Sequence, residues 1–384
     1  MAYTVLARRY RSTDFDEVVG QEAIAKTLQN AIKLNRVAHA YLFCGTRGVG
    51  KTSMARIFAK ALNGGKEDID AAIMAGKDSD VIEIDAASNS GVDNARELIA
   101  NAAYRPLRGK RKIYLIDEVH MLSNAAFNAL LKTMEEPPEH VMFILATTDP
   151  QKVPATIQSR CQRFDFRNIP TAQIAEHLAS VLKQEKVSAD PELLFAIARL
   201  GNGSMRDSLS LLDRLLASGE KTLTVGLLEQ LLGLPARQLV GSLLDSIAAG
   251  DPGEALRCAD ALIKRGNSIE LVLETLLERL RDLLVLRTCG DSTDLVELSD
   301  EARLAESTRA RAFDPAAIVH MIALVENIHR SAKNSACPRV LLDACVVRLA
   351  LTDRLAEAAS VVVASTGAGA AEPAMAGSAS PKKR

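Results

Sequence analysis

The amino-acid sequence predicts an α/β protein in which a parallel sheet flanked by helices is followed by domains made of helices alone. Up to about Phe166, short β-branched runs alternate with helical patterns, and beyond that residue such runs stop. Strands and helices that alternate in this way form parallel sheets with right-handed crossovers. Each run ends in polar residues, which places them at the carboxyl edge of the sheet, where ligands of such folds bind.

The individual elements follow from residue spacing. Ile24, Leu28 and Ile32 recur at helical spacing and predict a helix over 21–34, and HAYLFCG then predicts a buried strand. The runs SDVIEIDAA, RKIYLIDEVH and HVMFILATTDP predict three more strands. The stretch NAAFNALLKTMEE predicts a helix between the last two of them.

A glycine-rich loop follows the first strand, in the stretch YLFCGTRGVGKTS. Its glycine, lysine and threonine spacing fits a P-loop, in which backbone N–H groups surround phosphate oxygens at a helix N-terminus. Lys51 would neutralise the β and γ phosphates of ATP, and Thr52 would hold Mg²⁺. The alternative interpretation is an ordinary glycine-rich turn. The predicted ATP-binding residues of the loop are Gly45, Thr46, Arg47, Gly48, Val49, Gly50, Lys51, Thr52 and Ser53.

Two consecutive carboxylates, Asp117 and Glu118, stand at the end of the predicted strand in KIYLIDEVHML, about 65 residues after the loop. Asp117 stands where a carboxylate that organises Mg²⁺ belongs, and Glu118 can accept the proton of an attacking water. Thr148, which follows a later strand, either orients that water or senses the γ-phosphate, or it is only a strand-end hydroxyl. His120 has no second ligand at a suitable spacing, so no metal site is predicted there.

Two arginines are candidates for stabilising charge that develops on the γ-phosphate. Arg160 lies in IQSRCQRF, after the strand that ends in threonines, and Arg206 lies at a predicted helix start in GNGSMRDSLSLL. The chemistry of arginine suits phosphate contacts, but a solvated or capping arginine is the alternative at either position.

Bulk properties narrow the class of protein. The chain of 384 residues is too long for a single small module, and its formal net charge of −1 gives no overall field that attracts a polyanion. Any nucleic-acid contact must therefore be local. Six cysteines without a CxxC pair indicate reduced thiols, and no apolar run is long enough to span a membrane. We expect a cytoplasmic protein without a signal peptide or membrane partner.

Breaks in the helical region divide the rest of the chain. We predict an ATP-binding α/β domain over 1–167, a small helical domain over 168–233, a second helical domain over 234–355 and a disordered Ala/Ser/Gly-rich tail over 356–384. The stretch SIELVLETLLERLRDLLVL carries a broad leucine stripe. This stripe is either helical core or a face that binds a partner.

Several stretches together resemble the gamma/tau subunits of bacterial DNA polymerase III, which drive the sliding-clamp loader. They are YRSTDFDEVVGQE, GTRGVGKTS, IEIDAASNSGVDNAREL, YLIDEVHMLSNAAFNALLKTMEEPPEHVMFILATTDPQKVPATIQSRCQRFDF and GSMRDSLSLLD. The resemblance runs from about Tyr3 to Leu234, is weaker across the last helical domain and is absent from the tail. It implies an AAA+ ATPase with a RecA-like domain, a helical lid and a collar that joins five subunits in a ring.

The resemblance also implies roles for single residues. Lys51 and Thr52 match Walker A, Asp117 and Glu118 match Walker B, and Thr148 matches sensor 1. Arg160 matches the arginine finger that reaches a neighbouring subunit's site, and Arg206 matches the sensor 2 arginine. The segment at Val18 and Val19 matches the part that encloses adenine. The implied partners are the delta and delta-prime subunits of a hetero-pentameric ring, the sliding clamp and primer-template DNA.

The sequence departs from that family at one point. Its members usually carry a four-cysteine zinc module after the Walker A helix, whereas ALNGGKEDIDAAIMAGKDSDV contains no cysteine. We therefore expect no zinc site.

DNA contacts are a further implication of the resemblance. Helix starts after DAASNSG and MLSN would offer free N–H groups to backbone phosphates, with Ser88, Asn89, Ser123 and Asn124 as candidate ligands. Their alternative role is simple N-capping.

Two other functions compete with a clamp-loading motor. One is a catalytically silent scaffold of the same fold, like the delta-prime subunit, although complete P-loop and Walker B residues argue against it. The other is a hexameric branch-migration helicase, which normally ends in a winged-helix domain that the leucine-rich helices do not resemble. No polymerase site is visible, even though this subunit type is usually catalogued with DNA-directed DNA polymerase, a nucleotidyltransferase. The sequence is compatible with a tail that is a natural end and with one that is the cut end of a longer tau form.

Overall fold

The computed structural model describes residues 3–89, 91 and 98–352. The chain divides into two compact units, Met1–Val225 and Gly226–Arg384. The predicted boundary between lid and last helical domain, at 233, lies one short helix beyond this division. The predicted tail over 356–384 lies outside the described residues, as do the last residues of the predicted domain before it.

The first unit contains a five-stranded sheet in the order β2-β3-β4-β1-β5, in which every pairing is parallel. All residues of β1 and β4 are buried, because helices cover both faces of the sheet. The predicted parallel sheet is thus confirmed. Its strands are β1 Ala40–Cys44, β2 Val81–Asp85, β3 Lys112–Asp117, β4 Val141–Thr147 and β5 Gln162–Asp165.

Alternate side chains of the strands pack on opposite faces of the sheet. Tyr41 and Phe43 join Phe58 in the core on one face, while Tyr114 and Phe143 stack in the core on the other. Because buried side chains pack against both faces of the sheet, the positions of its strands are fixed, and so is the carboxyl edge where the strands end.

Helices surround the sheet and continue beyond it. The helix predicted over 21–34 is confirmed, and another helix begins at Lys51 directly after the glycine-rich loop. A helix that was not predicted lies in the segment without cysteines, where Ile69 and Ile73 are buried in the core. The described helices around the sheet are α1 Leu6–Arg9, α2 Glu22–Lys33, α3 Lys51–Asn63, α4 Glu67–Met74, α5 Asn124–Glu135 and α6 Ala155–Gln158.

The end of the first unit is helical, as expected for a lid. Its helices are α7 Thr171–Glu185, α8 Pro191–Leu200 and α9 Met205–Leu216. Two short strands, β6 Ser188–Ala189 and β7 Thr222–Leu223, form a parallel pair that the sequence did not predict. Each has only two residues, too few to show a periodic pattern.

In its described part, the second unit consists of helices joined by loops. Its helices are α10 Val225–Leu232, α11 Arg237–Ala248, α12 Pro252–Lys264, α13 Ile269–Cys289, α14 Asp300–Ala310, α15 Pro315–Ala332 and α16 Pro338–Ala350. The leucine stripe lies on α13, where Leu273, Leu276, Leu280 and Leu283 are fully buried in the core of this unit. The core interpretation of the stripe is therefore confirmed. Among the described residues, no helix is long and apolar enough to cross a membrane.

One buried carboxylate fixes the loop that leads into β3. Asp80 is 1% exposed, and its two oxygens accept backbone N–H bonds from Leu107, Arg108 and Gly109 at 2.7, 2.6 and 2.8 Å. Burial alone would raise the pKa of Asp80, but the three backbone bonds lower it below its ordinary value. The ionised form is the one that the folded chain needs.

We predict that Asp80→Ala lowers the free energy of unfolding by about 3 kcal/mol, because three backbone N–H groups lose a charged acceptor. Asp68→Ala is the control: it removes an exposed ion pair with Arg108, which is worth less than about 1 kcal/mol. Urea denaturation measures both variants. Because the folded-state pKa is lowered, the contribution of Asp80 is present above the unfolded pKa of about 3.9 and is lost as pH falls through the folded pKa. Equal losses in the two variants at neutral pH would contradict this assignment.

Candidate nucleotide site

The glycine-rich loop joins β1 to α3 and has little space for side chains. Gly48 has a φ of +78°, and a Cβ built on it would lie 1.9 Å from the Ser204 hydroxyl oxygen, at the start of α9. A Cβ on Gly45 would lie 2.6 Å from the Phe166 carbonyl oxygen. The loop therefore contacts the lid segment by its bare backbone, which leaves its N–H groups accessible for an anion.

Lys51 is the first residue of α3 and is only 6% exposed. Its ammonium donates hydrogen bonds to the carbonyl oxygens of Gly45 at 2.7 Å and Thr46 at 2.8 Å. Burial lowers the pKa of Lys51, while the charges of Glu118 and Asp117 act in the opposite direction. A desolvated cation thus lies inside the loop, in position to contact phosphate.

Thr52 and Asp117 meet although they are distant in the sequence. The Thr52 hydroxyl donates to Asp117 Oδ2 at 2.7 Å, which links the start of α3 to the end of β3. The other oxygen, Oδ1, accepts the N–H of Glu118 at 2.9 Å. The predicted pair of metal-organising residues is therefore brought together as two oxygen donors.

Glu118 follows β3 with a positive φ of 47°, a conformation uncommon for a residue with a side chain. Its Oε2 accepts the Thr148 hydroxyl at 3.1 Å, and His120 Nδ1 lies 3.4 Å from the same oxygen. Thr148 follows β4, so neighbouring strands bring the hydroxyl and the carboxylate together. Sequence reasoning paired Thr148 with water or phosphate and did not predict this bond.

A single cavity joins most of these residues. Four cationic and two acidic side chains contribute to its wall, which gives the wall an excess of positive charge. The predicted residues in the wall are Val18, Val19, Arg47, Gly48, Val49, Gly50, Lys51, Thr52, Ser53, Asp117, Glu118 and Arg206. Three other predicted residues lie outside the wall but hydrogen-bond to residues in it. The carbonyl oxygens of Gly45 and Thr46 accept hydrogen bonds from the Lys51 ammonium, and the Thr148 hydroxyl donates one to Glu118.

The wall also contains residues that sequence reasoning missed. They are Ala7, Tyr10, Arg11, Ser12, Ile169, His177, Met205 and Leu209. Burial lowers the pKa of His177, and burial together with nearby Arg56 and Arg206 lowers that of Arg11. Arg11 had a signal, because it belongs to the stretch YRSTDFDEVVGQE. Met205 and Leu209 likewise belong to the stretch GSMRDSLSLLD. His177 had no such signal, because it reaches the cavity through the folding of the lid helices.

The two candidate arginines occupy different places. Arg206 is in the first turn of α9, after the capping residue Ser204, and lies in the cavity wall. Arg160 is outside the wall: it pairs with Glu135 and donates to the Thr156 carbonyl oxygen at 2.6 Å. The structure therefore brings Arg206, and not Arg160, to the cavity of the same chain.

The four candidate DNA ligands have local partners. Ser123 is the N-cap of α5, accepting the Ala126 N–H at 3.2 Å, and Asn124 is the first helical residue. Ser88 donates to the Asp85 carboxylate at 3.0 Å, and Asn89 donates to the Asp85 carbonyl oxygen at 3.1 Å. The N-cap role is confirmed for Ser123. The helix expected after Ser88 and Asn89 begins outside the described residues.

Within the described residues, no group of three or more His, Cys, Asp or Glu side chains is arranged to hold a metal ion. All six cysteines are free thiols.

Family models match the chain in three consecutive stretches. Residues 20–170 match the model described as DNA polymerase III, delta subunit. Residues 173–221 match the DNA polymerase III clamp loader subunit, ATPase lid domain, and residues 223–362 match domain III of DNA polymerase III subunits gamma and tau. The DNA polymerase III subunit gamma of Buchnera aphidicola is 38% identical over 297 residues, which cover 75% of this chain and 82% of that protein. The chain belongs to the DNA polymerase III gamma/tau family.

Two longer relatives agree with this assignment. The DNA polymerase III subunit tau of Bacillus subtilis is 39% identical, with 92% of this chain and 64% of that protein covered. The tau subunit of Escherichia coli is 43% identical, with 80% and 50% covered. The chain thus spans between half and two thirds of these relatives. Membership confirms the resemblance and the expected AAA+ architecture of sheet domain, lid and helical C-terminal domain.

We predict that Lys51→Met weakens ATP binding by about 10- to 100-fold, because the loop loses its buried charge. Lys60→Met is the matched control, since Lys60 lies on the same helix but donates to the Thr13 carbonyl oxygen. Titration with a fluorescent ATP analogue measures both variants. Equal affinity in Lys51→Met and Lys60→Met would rule out the assignment of the loop.

Proposed function

We propose that this chain is the ATP-driven motor subunit of a DNA polymerase III clamp loader. One observation carries the proposal: a single cavity contains a P-loop lysine, a Thr–Asp pair of oxygen donors, a glutamate next to that pair and a lid arginine. Such a set supports binding a nucleoside triphosphate and cleaving its terminal phosphate. The proposed role is to open the sliding clamp and load it onto primed DNA during replication.

The donor set fits ATP with Mg²⁺. Thr52 Oγ1 and Asp117 Oδ2 are hard oxygen ligands 2.7 Å apart at the loop, which is the chemistry that Mg²⁺ prefers. These two residues would hold the metal, which would neutralise charge on the β and γ phosphates. Val18 and Val19 would enclose the adenine base, and Arg47 and Arg11 add positive charge to the wall.

Hydrolysis needs a base and a cation in addition. Glu118 would accept the proton of the attacking water on its carboxylate, while the Thr148 hydroxyl holds one oxygen of that carboxylate in place. Arg206 would approach the γ-phosphate from the lid, so that lid position and nucleotide state are coupled. This complete set disfavours a catalytically silent scaffold. The proposal assigns ATPase chemistry to the chain and no nucleotidyl transfer.

Arg160 would complete the site of a neighbouring subunit. Its position outside the cavity of its own chain supports a role in trans, and its pairing with the exposed Glu135 leaves it able to exchange partners. A ring follows from that role, with the delta and delta-prime subunits as further members. Its proposed targets are the sliding clamp and primer-template DNA, in the cytoplasm.

DNA contacts in this proposal are blind to sequence. Phosphates of the backbone would meet the N-terminus of α5 at Ser123 and Asn124, and the turn at Ser88 and Asn89. Such local contacts suit a chain whose net charge is near zero.

We predict that Glu118→Gln retains ATP binding but lowers turnover by roughly 10²-fold or more, because the base is lost while Lys51, Thr52 and Asp117 remain. Steady-state phosphate release and titration with a fluorescent ATP analogue separate the two effects. Binding that disappears together with turnover would show that the two roles are not separate.

We further predict that Arg160→Ala subunits bind ATP normally yet fail to support hydrolysis at the adjacent site. Arginine fingers contribute about 10³- to 10⁵-fold in rate where they act. The test mixes Arg160→Ala and Lys51→Ala subunits in rings assembled with their partner subunits, and it measures ATPase stimulated by clamp and DNA.

Only the mixed rings contain an interface with an intact P-loop on one side and an intact Arg160 on the other. Partial activity should therefore return in the mixture and be absent from each variant alone. Light scattering confirms assembly. A mixture no more active than the separate variants would mean that Arg160 acts within its own chain or only supports the fold.

A further inference from the structure

A histidine lies directly beside the proposed catalytic base. His120 belongs to a short 3-10 turn, Val119–Met121, which follows Glu118. Its Nδ1 is 3.0 Å from the Thr147 hydroxyl oxygen and 3.4 Å from Glu118 Oε2. The histidine side chain is only 11% exposed, so water has little access to replace these contacts.

The surrounding oxygens determine which nitrogen carries hydrogen. We assign the N–H to Nδ1, because that tautomer donates towards both the Thr147 hydroxyl oxygen and the Glu118 carboxylate, whereas the other tautomer would place an imidazole lone pair next to the carboxylate. Thr147 is fully buried at the end of β4, and its hydroxyl oxygen also accepts the Asp149 N–H at 3.0 Å. The Nδ1–H group is thus shared between a fixed hydroxyl of the sheet and the carboxylate of Glu118.

The Glu118 side chain is only partly enclosed, so its orientation depends on the groups that contact it. The residue has the left-handed φ of 47°, and its side chain is 31% exposed. The Thr148 hydroxyl and the His120 N–H both approach Oε2. In the described part of the chain, Oε1 has no hydrogen-bond partner and remains available for water. One oxygen of the carboxylate is therefore held, and the other is left for the reaction.

We propose that His120 is a positioning residue, which anchors the Glu118 carboxylate to β4 so that Oε1 meets the attacking water. This inference rests on the proposed function, because it assigns a partner to the base of that reaction. It also gives a use to a histidine that, in the described part of the chain, belongs to no group of three or more side chains arranged to hold a metal ion. A histidine that only fills space would stabilise the fold without affecting the chemical step.

The test compares substitutions at His120 for ATP turnover, ATP binding and thermal unfolding. The amide nitrogen of asparagine can take the place of Nδ1, whereas that of glutamine is one bond too far away and corresponds to Nε2. His120→Asn is thus the conservative variant, and His120→Ala and His120→Gln are two independent loss variants. His140→Ala is the control, because His140 contacts the carbonyl oxygens of Ala102 and Tyr104 instead of the base.

We expect His120→Ala and His120→Gln to lower kcat about 10-fold, because the base is misplaced, with affinity for a fluorescent ATP analogue unchanged. His120→Asn should recover most of kcat, and His140→Ala should retain it. In a Glu118→Gln background, replacing His120 should cause no further loss, since residues that act as a unit are not additive.

Any of the following results would overturn the inference. The first is an equal fractional loss of kcat from His120→Ala with and without the Glu118→Gln change. The second is His120→Asn behaving like His120→Gln, and the third is a loss of kcat that follows the melting temperature in all variants including His140→Ala. If Glu118→Gln alone lowers turnover but His120 variants do not, only the inference fails. If Glu118→Gln retains full turnover, the proposed base is wrong and the inference fails with it.

Discussion

The site depends on keeping one buried ammonium charged. Lys51 is almost entirely removed from water, and a cation in that position is unfavourable unless nearby groups replace its hydration. Two carbonyl oxygens of the glycine-rich loop accept its hydrogens, and the carboxylates of Asp117 and Glu118 oppose the effect of burial on its pKa. The acidic end of β3 therefore helps to keep this cation charged inside the loop.

The parallel sheet makes this balance possible. Strand order β2-β3-β4-β1-β5 places the loop after β1 beside the end of β4, and the end of β3 beside that. Cys44 is in register with Thr147, so the loop and the Thr147-Thr148 hydroxyls start from the same level of the sheet. Lys51, the threonine hydroxyls and the acidic side chains thus follow three different strands but lie at the same edge of the sheet. Small shifts of any strand are resisted because both faces are packed.

Local sequence patterns predicted much of this arrangement, and their limits are physical. The strands, the loop, Asp117 and Glu118 were predictable because each has a signal within a few residues. The bond from Thr148 to Glu118 and the place of His177 were not, because they arise where distant segments meet. Helix α4 was not predicted, although Ile69 and Ile73 stand at helical spacing, because eight residues give only a short periodic pattern. The chemistry of Arg160 and Arg206 gave equal signals; the family resemblance distinguished them, and the fold places Arg206 in the cavity wall and Arg160 outside it.

The missing cysteines bear on how α3 is held. The family that the sequence resembles usually has a zinc module after this helix, and apolar packing occupies that segment here: Ile69 and Ile73 are buried in the core beside Phe58. Arg56 adds a bidentate pair with Glu83 at 2.8 and 2.9 Å and donates to the Met74 carbonyl oxygen at 2.8 Å. Arg56 is on the same helix that begins with Lys51. Contacts of α4 and β2 therefore help to fix the helix that presents the buried lysine.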